Sequence, residues 1–156
     1  MSESGLYRIQ QFSSPPTLEQ NLFSWNNISN NLFFEAPAGV GFSYCDTEAG
    51  CKHTDTSTAQ DNLATLVSWL KAYPEFAKND LWISGESYAG VYVPSLAYAV
   101  YQYNQGKPAV PIKLKGIMVG NGCIGKDAGH CGSDPTGLSD YRECFWRMVP
   151  LHGIRA

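Results

Sequence analysis

The stretch Leu81-Trp82-Ile83-Ser84-Gly85-Glu86-Ser87-Tyr88-Ala89-Gly90 decides how the rest of the chain is read. It begins as a short apolar strand, turns at a glycine, presents a serine and runs into a helix. A serine in such a turn has its hydroxyl pushed clear of the sheet, and the amide of the next residue points to where an oxyanion would form. Strand and helix cross closely there, so the residues two before and two after the serine must be small, as Gly85 and Ala89 are. Alanine stands where the usual nucleophile elbow has its second glycine, and Gly90 follows it. Taken alone, the same pattern also fits a turn serine capping the helix behind it.

Working outward, Thr54-Asp55-Thr56-Ser57 supplies helix-starting residues, and Ala59, Leu63, Leu66, Val67 and Leu70 recur at three- and four-residue spacing until Pro74. Past the elbow, Val91, Val93, Leu96, Ala97 and Val100 mark a second helix, with Pro94 in its first turns. A loop with Gly106, Pro108 and Pro111 leads to a strand over Ile112–Gly120, closed by the turn signal Asn121-Gly122. Strands alternating with helices predict an α/β fold with a mostly parallel sheet flanked by helices.

Upstream, the apolar run Asn31-Leu32-Phe33-Phe34-Glu35 predicts a strand covered on both faces. Ala36-Pro37-Ala38-Gly39-Val40-Gly41 ends it in a turn where backbone approaches another strand or a bound ligand. Residues 1–20 have no sustained period and read as loop, with Leu6-Tyr7-Arg8-Ile9 the one strand-like piece. After Cys123 glycine, aspartate and cysteine dominate to about Tyr141, and Tyr141–His152 reads as a short helix-like piece at most.

A chain of 156 residues can build one domain with a real core but is short for a complete hydrolase of this architecture. With 44% hydrophobic residues it is a folding sequence, and a formal charge of −3 offers no basic stripe for nucleic acid. No apolar run is long enough to span a membrane, and no signal peptide is visible at the N-terminus. None of the five cysteines forms a C-x-x-C pair, which argues against a structural metal site. Cys45 and Cys51 bracket a short loop that suits a local disulfide, two unpaired thiols being the alternative; the pairing of Cys123, Cys131 and Cys144 stays open. Asn27-Ile28-Ser29 is a glycosylation triplet, in keeping with a secretory route.

Three blocks then carry a resemblance. Phe23-Ser24-Trp25-Asn26 with Asn31-Leu32-Phe33-Phe34-Glu35-Ala36-Pro37-Ala38-Gly39-Val40-Gly41-Phe42-Ser43-Tyr44 resembles one signature segment of the serine carboxypeptidases, the α/β-hydrolase family of cathepsin A and the yeast vacuolar carboxypeptidase. Gly85-Glu86-Ser87-Tyr88-Ala89-Gly90, followed by Tyr92, Val93 and Pro94, is similar to its active-serine signature. Gly116 to Gly122 resembles its next strand, and the blocks come in the family's order and spacing.

The resemblance implies a partial α/β-hydrolase fold, with core residues 1–124 and the start of an insertion (cap) region at 125–156. It implies a serine-type carboxypeptidase that releases C-terminal residues from peptides through an acyl-enzyme on Ser87, with the Tyr88 backbone amide as one oxyanion donor. Glu86 matches a carboxyl that holds the substrate's free carboxylate. Glu3, in Glu3-Ser4-Gly5-Leu6-Tyr7-Arg8, matches the second member of that group, with Leu6 in place of the usual proline. A protonated carboxyl can donate a hydrogen bond to a carboxylate, so peptide binding is expected to favour acid conditions. A charged residue satisfied by turn amides is the alternative for Glu86, and a solvated terminal residue that for Glu3. Gly85 and Gly90 are the elbow glycines; no cofactor and no metal are implied.

The family's upstream oxyanion block is expected just before residue 1, and its triad aspartate and histidine after later strands. His130 and His152, with Asp127, Asp134 and Asp140, are the only histidines and aspartates after the elbow helix, and none is expected to complete a triad. The chain thus resembles the middle of a carboxypeptidase, inactive as a truncated piece. An acyltransferase of the same family and a non-catalytic remnant or binding protein are the other readings. The resemblance places the protein in the lysosome or vacuole, or outside the cell; it leaves the oligomeric state open.

Overall fold

The computed structural model describes residues 4–10, 14–123 and 147–150. The chain divides into two compact units, Met1–Phe34 and Glu35–Ala156.

The first unit holds an antiparallel hairpin, β1 (Tyr7–Gln10) and β2 (Thr17–Gln20), with Tyr7 opposite Gln20 and Gln10 opposite Thr17. The sequence pointed to β1 but read the rest of residues 1–20 as loop. Every residue of both strands is exposed, so neither carries the apolar alternation that marks a half-buried strand. The unit is organised instead by two buried polar residues, Asn21 and Ser24. Asn21 donates from Nδ2 to the Gly5 carbonyl at 2.9 Å and accepts from Arg8 Nη2 at 2.6 Å. Ser24 Oγ donates to the Ser4 carbonyl at 3.1 Å and accepts from the Asn26 amide at 3.2 Å, capping a single 3-10 turn at Trp25–Asn27. Their burial costs little because their polar atoms are paired.

The strand expected over Asn31–Glu35 does not form: this segment has no ladder partner among the described residues, and Leu32 and Phe33 are exposed. An apolar run can reveal a tendency to be covered, but a strand exists only where a second backbone takes up its N–H and C=O groups.

In the second unit α1 spans Asp55–Ala72. Thr54 caps it in a reciprocal box: its Oγ1 accepts from the Ser57 amide at 3.1 Å, and Ser57 Oγ accepts from the Thr54 amide at 2.9 Å. Ala59 and Leu66 are buried, and Leu63, Val67 and Leu70 half-buried, on the face that the spacing selected. Beyond its end the Trp69 ring packs on Tyr73 and Phe76.

Next come β3 (Leu81–Glu86), α2 (Ala89–Gln105) and β4 (Leu114–Gly120). β3 and β4 are parallel neighbours, in register from Trp82 opposite Gly116 to Glu86 opposite Gly120. This is the expected strand–helix–strand unit. α2 lies on β3 and β4, α1 packs on α2, and Val93, Leu96, Ala97, Ala99 and Val100 of α2 join Leu66, Ile112 and Val119 in the core.

A fifth strand, β5 (Arg147–Pro150), pairs antiparallel with β4, placing Met118 opposite Met148 and Val119 opposite Arg147. This corrects the helix-like reading of Tyr141–His152, whose other residues lie outside those described. A few residues cannot separate helix from strand by period, and the free edge of β4 offers a row of backbone groups that a strand satisfies.

Candidate active site

β3 and β4 end side by side, and the chain leaves β3 through Ser87. Ser87 has φ +60°, the left-handed region that a side chain rarely occupies. Three backbone bonds hold it there. Its amide donates to the Gly120 carbonyl at 3.0 Å, while its carbonyl accepts from the Gly90 amide at 3.0 Å and from the Cys123 amide at 2.9 Å. The end of β4 therefore braces the turn on one side and the first turn of α2 closes it on the other. Strain of this kind persists only where surrounding structure over-determines the backbone.

The small residues fall where the crossing demands them. A Cβ on Gly85 would overlap the Cβ of Ala89 and reach 3.3 Å from Val93. A Cβ on Gly90 would stand 2.5 Å from the Cys123 amide nitrogen and 2.6 Å from its carbonyl oxygen. Gly90, the second of the two elbow glycines, is thus where the segment following β4 crosses the helix. Ala89 does the work of the usual second glycine because its methyl occupies the space that Gly85 vacates.

Ser87 is exposed at the C-terminal end of the parallel pair, the end where open α/β sheets bind ligands. Tyr88 follows with helical angles as the cap of α2, so its amide belongs to the helix's first turn, whose N–H groups have no intrahelical acceptor. Glu86 closes β3 and is exposed, on the same strand face as Trp82 and Ser84. Glu3 lies outside the described residues.

The Tyr88 side chain, to which the sequence gave no role, is tethered. Its hydroxyl donates to Asp55 Oδ1 at 3.1 Å, and its ring meets Tyr92 edge-on at 4.9 Å. The Asp55 carboxylate holds the Tyr88 phenol above its usual pKa, first through the hydrogen bond and then through its charge. Asp55 announced itself only as a helix starter. No local pattern signals a bond across 33 positions.

Among the described residues, the glycines of the Pro37–Gly41 turn meet the turn's own neighbours. Gly41 (φ +59°) leaves room for the Glu35 carboxylate, which accepts from the Phe42 amide at 2.5 Å, and Gly39 (φ +89°) lies against the bridge of Cys45 and Cys51. That local disulfide is present as expected, with 5.7 Å between the two Cα atoms. Cys123 is disulfide-bonded too.

His53 is the one histidine among the described residues, and its Nε2 lies 2.8 Å from the Ala38 carbonyl oxygen. No hydrogen bond joins a histidine to Ser87 among those residues, and no cluster there could hold a metal ion. His130 and His152 lie outside them. The assembled parts are therefore a positioned hydroxyl, a helix-start amide and an adjacent carboxylate.

This geometry can be set beside known proteins. The serine carboxypeptidase family profile matches residues 1–136. The chain belongs to the serine carboxypeptidase family. Among its relatives, serine carboxypeptidase-like 40 of Arabidopsis thaliana is 42% identical over 144 residues, covering 92% of this chain and 26% of that protein. Serine carboxypeptidase 24 of the same plant is 47% identical over 120 residues, covering 76% and 25%. A solved prohormone-processing carboxypeptidase from Saccharomyces cerevisiae superposes with a TM-score of 0.67 at 30% identity, over 78% of this chain and 26% of that one. The strand–helix–strand unit around Ser87 is thus part of the α/β-hydrolase fold of a serine carboxypeptidase. The chain spans about a quarter of the length of the relatives it matches.

Proposed function

We propose that the protein is a serine-type carboxypeptidase in which Ser87 attacks the carbonyl carbon of a peptide's last amide bond. The observation that supports this most directly is Ser87 itself, held at positive φ between β3 and α2 with glycine or alanine at each point of close approach. On attack the hydroxyl proton passes to a base, and the Ser87 Oγ–C bond forms as the carbonyl oxygen becomes an oxyanion facing the Tyr88 amide. Collapse expels the C-terminal residue as its amine, which takes up a proton, and leaves an ester on Ser87. Water then adds to that ester, releasing the shortened peptide and the free hydroxyl. Glu86, next to the nucleophile, and Glu3 hold the terminal carboxylate that makes the enzyme act on chain ends.

In this reading the base lies beyond the described residues, since His53 is engaged by Ala38. A serine without its imidazole loses several orders of magnitude in rate. With neither His130 nor His152 expected to be that base, residues 1–156 alone are expected to turn over next to nothing. That no described histidine bonds Ser87 favours, as a second reading, a non-catalytic protein that keeps the scaffold. The core to residue 124, the insertion region from 125 and a lysosomal, vacuolar or extracellular location belong to the first reading. The Cys45–Cys51 bridge supports that location, because such bonds persist in oxidising compartments.

The test is release of C-terminal amino acids from peptides at acidic pH by the protein expressed from its gene. Activity abolished by Ser87→Ala is the expected result. Activity retained in that variant would sink the assignment, and an inert wild type would favour the non-catalytic reading.

A further inference from the structure

We propose that Asp55 is a positioning residue for the reaction at Ser87: from the start of α1 it fixes the Tyr88 ring beside the nucleophile and so sets how readily substrate is taken up. The inference rests on the carboxypeptidase reading and extends it to a residue on another helix.

Tyr88 is held at both ends. Its backbone directly follows Ser87 and caps α2, with φ −61° and ψ −12°. At the far end of the ring its hydroxyl donates to Asp55 Oδ1 at 3.1 Å and lies 3.4 Å from Oδ2, while the ring meets Tyr92 edge-on. Between these anchors the residue is 43% exposed. An exposed aromatic side chain without a tether samples two or three staggered χ1 wells. Here a charge-assisted bond to the neighbouring helix selects one of them.

Asp55 is available for this role because the helix start does not need it. Thr54 Oγ1 takes the Ser57 amide and Ser57 Oγ takes the Thr54 amide, so the cap is complete without the Asp55 carboxylate. Its place in the first turn of α1 favours the ionised form, which is the acceptor that Tyr88 uses. Nor is the bond needed to join the helices. α1 already packs on α2 across a buried apolar face, to which an exposed polar contact adds little.

What the bond controls is the ring. Tyr88 stands next to the nucleophile, so a ring fixed in one place gives the substrate a formed surface that it does not have to order. If the ring were released into three comparable wells, the competent fraction would fall to about a third and KM would rise about threefold. The bond-making atom, Ser87 Oγ, is untouched by this change, so kcat should hold.

The experiment compares wild type, Asp55→Asn, Asp55→Ala, Tyr88→Phe and the variant carrying both Asp55→Ala and Tyr88→Phe, each expressed from the full gene. Steady-state peptide hydrolysis is measured alongside NMR of isotope-labelled tyrosine. Asp55→Ala and Tyr88→Phe should each raise KM about threefold at unchanged kcat, and the double variant should be no worse than either. Asp55→Asn, which keeps an acceptor oxygen, should stay close to wild type. In the spectra Tyr88 should occupy one χ1 rotamer in wild type and average over several in Asp55→Ala. An active enzyme whose KM is unmoved by Tyr88→Phe would overturn the proposal, because an Asp55 that serves only the helix start would not act through a hydroxyl on α2. Additive losses in the double variant, or a Tyr88 ring that already averages in wild type, would overturn it too. An inert wild type would remove the reaction and this role with it; a fixed Tyr88 ring in that inert protein would locate the failure in the reading of Ser87 and not in the tether.

Discussion

The hairpin of β1 and β2 and the crossing of β3, α2 and β4 are both ordered, yet they are ordered by opposite means. In the hairpin every strand residue is exposed and the anchors are two buried polar side chains, Asn21 and Ser24. At the crossing the strand alternates between half-buried and exposed residues, α2 buries Val93, Leu96, Ala97, Ala99 and Val100, and close contacts are met by residues with little or no side chain. The second arrangement leaves a record in the sequence, because burial dictates residue type position by position. The first leaves almost none, since hydrogen bonds from asparagine and serine can be made in many folds.

The largest effect expected from this contrast is at Leu66 of α1, which is 3% exposed. Leu66→Ala removes buried apolar area and leaves a cavity, so it should cost about 3 kcal/mol in denaturant unfolding. A loss below about 1 kcal/mol would mean that the α1–α2 interface collapses around the gap, and that the helix is less tightly specified than its periodicity suggests.

Gly90→Ala should come next. Helix propensity alone favours alanine over glycine by about 1 kcal/mol. Against that stands a methyl group 2.5 Å from the Cys123 backbone, which cannot swing aside as a flexible side chain would. Overpacking of this kind costs about 1–3 kcal/mol, and with backbone on the other side the upper end is appropriate. The net expectation is a destabilisation of about 2 kcal/mol, and in the protein expressed from its gene the proposed peptidase activity should fall more steeply than stability, because Cys123 also braces the Ser87 carbonyl. An alanine variant as stable as the parent would show that the segment after β4 is free to move away from the elbow.

A smaller effect is expected at Asp55. Asp55→Asn keeps an oxygen for the Tyr88 hydroxyl but removes the charge, so the Tyr88 phenol should titrate closer to its ordinary range. The difference in ultraviolet phenolate absorbance between each protein and its Tyr88→Phe counterpart isolates that one ring. The sign follows from the raised pKa: the protonated phenol is the donor, so the tether is intact below pH 10 and is lost as pH rises through the folded-state value above it. An unchanged titration in Asp55→Asn would mean that the phenol does not engage Asp55 in solution.

What could be read from the sequence follows the same division. The α/β alternation, the cap at Thr54, the small residues around Ser87 and the Cys45–Cys51 bridge were legible because each rests on local spacing or on steric need. β2 was not, because Thr17-Leu18-Glu19-Gln20 presents no buried face. Asn31–Glu35 misled in the other direction: apolar residues promised a strand that has no partner backbone among the described residues. β5 could not be read because its existence depends on the free edge of β4, a property of the fold rather than of residues 147–150. The tether from Asp55 to Tyr88 belongs with β5, since both join segments remote in sequence and leave no periodic trace.

The smallest effect closes the comparison. Leu18 of β2 is 71% exposed, so truncating it returns little area to water. At about 25 cal/mol per Å² of apolar surface, the loss for a mostly solvated leucine is a small fraction of that for a buried one. Leu18→Ala is therefore expected to shift stability by less than about 0.5 kcal/mol, the ordinary range for surface positions, although it is the same substitution as Leu66→Ala. A cost above about 1 kcal/mol would carry a definite meaning: Leu18 would then be covered in the working protein, and the hairpin would be hard to read because its burial depends on residues that residues 17–20 do not specify.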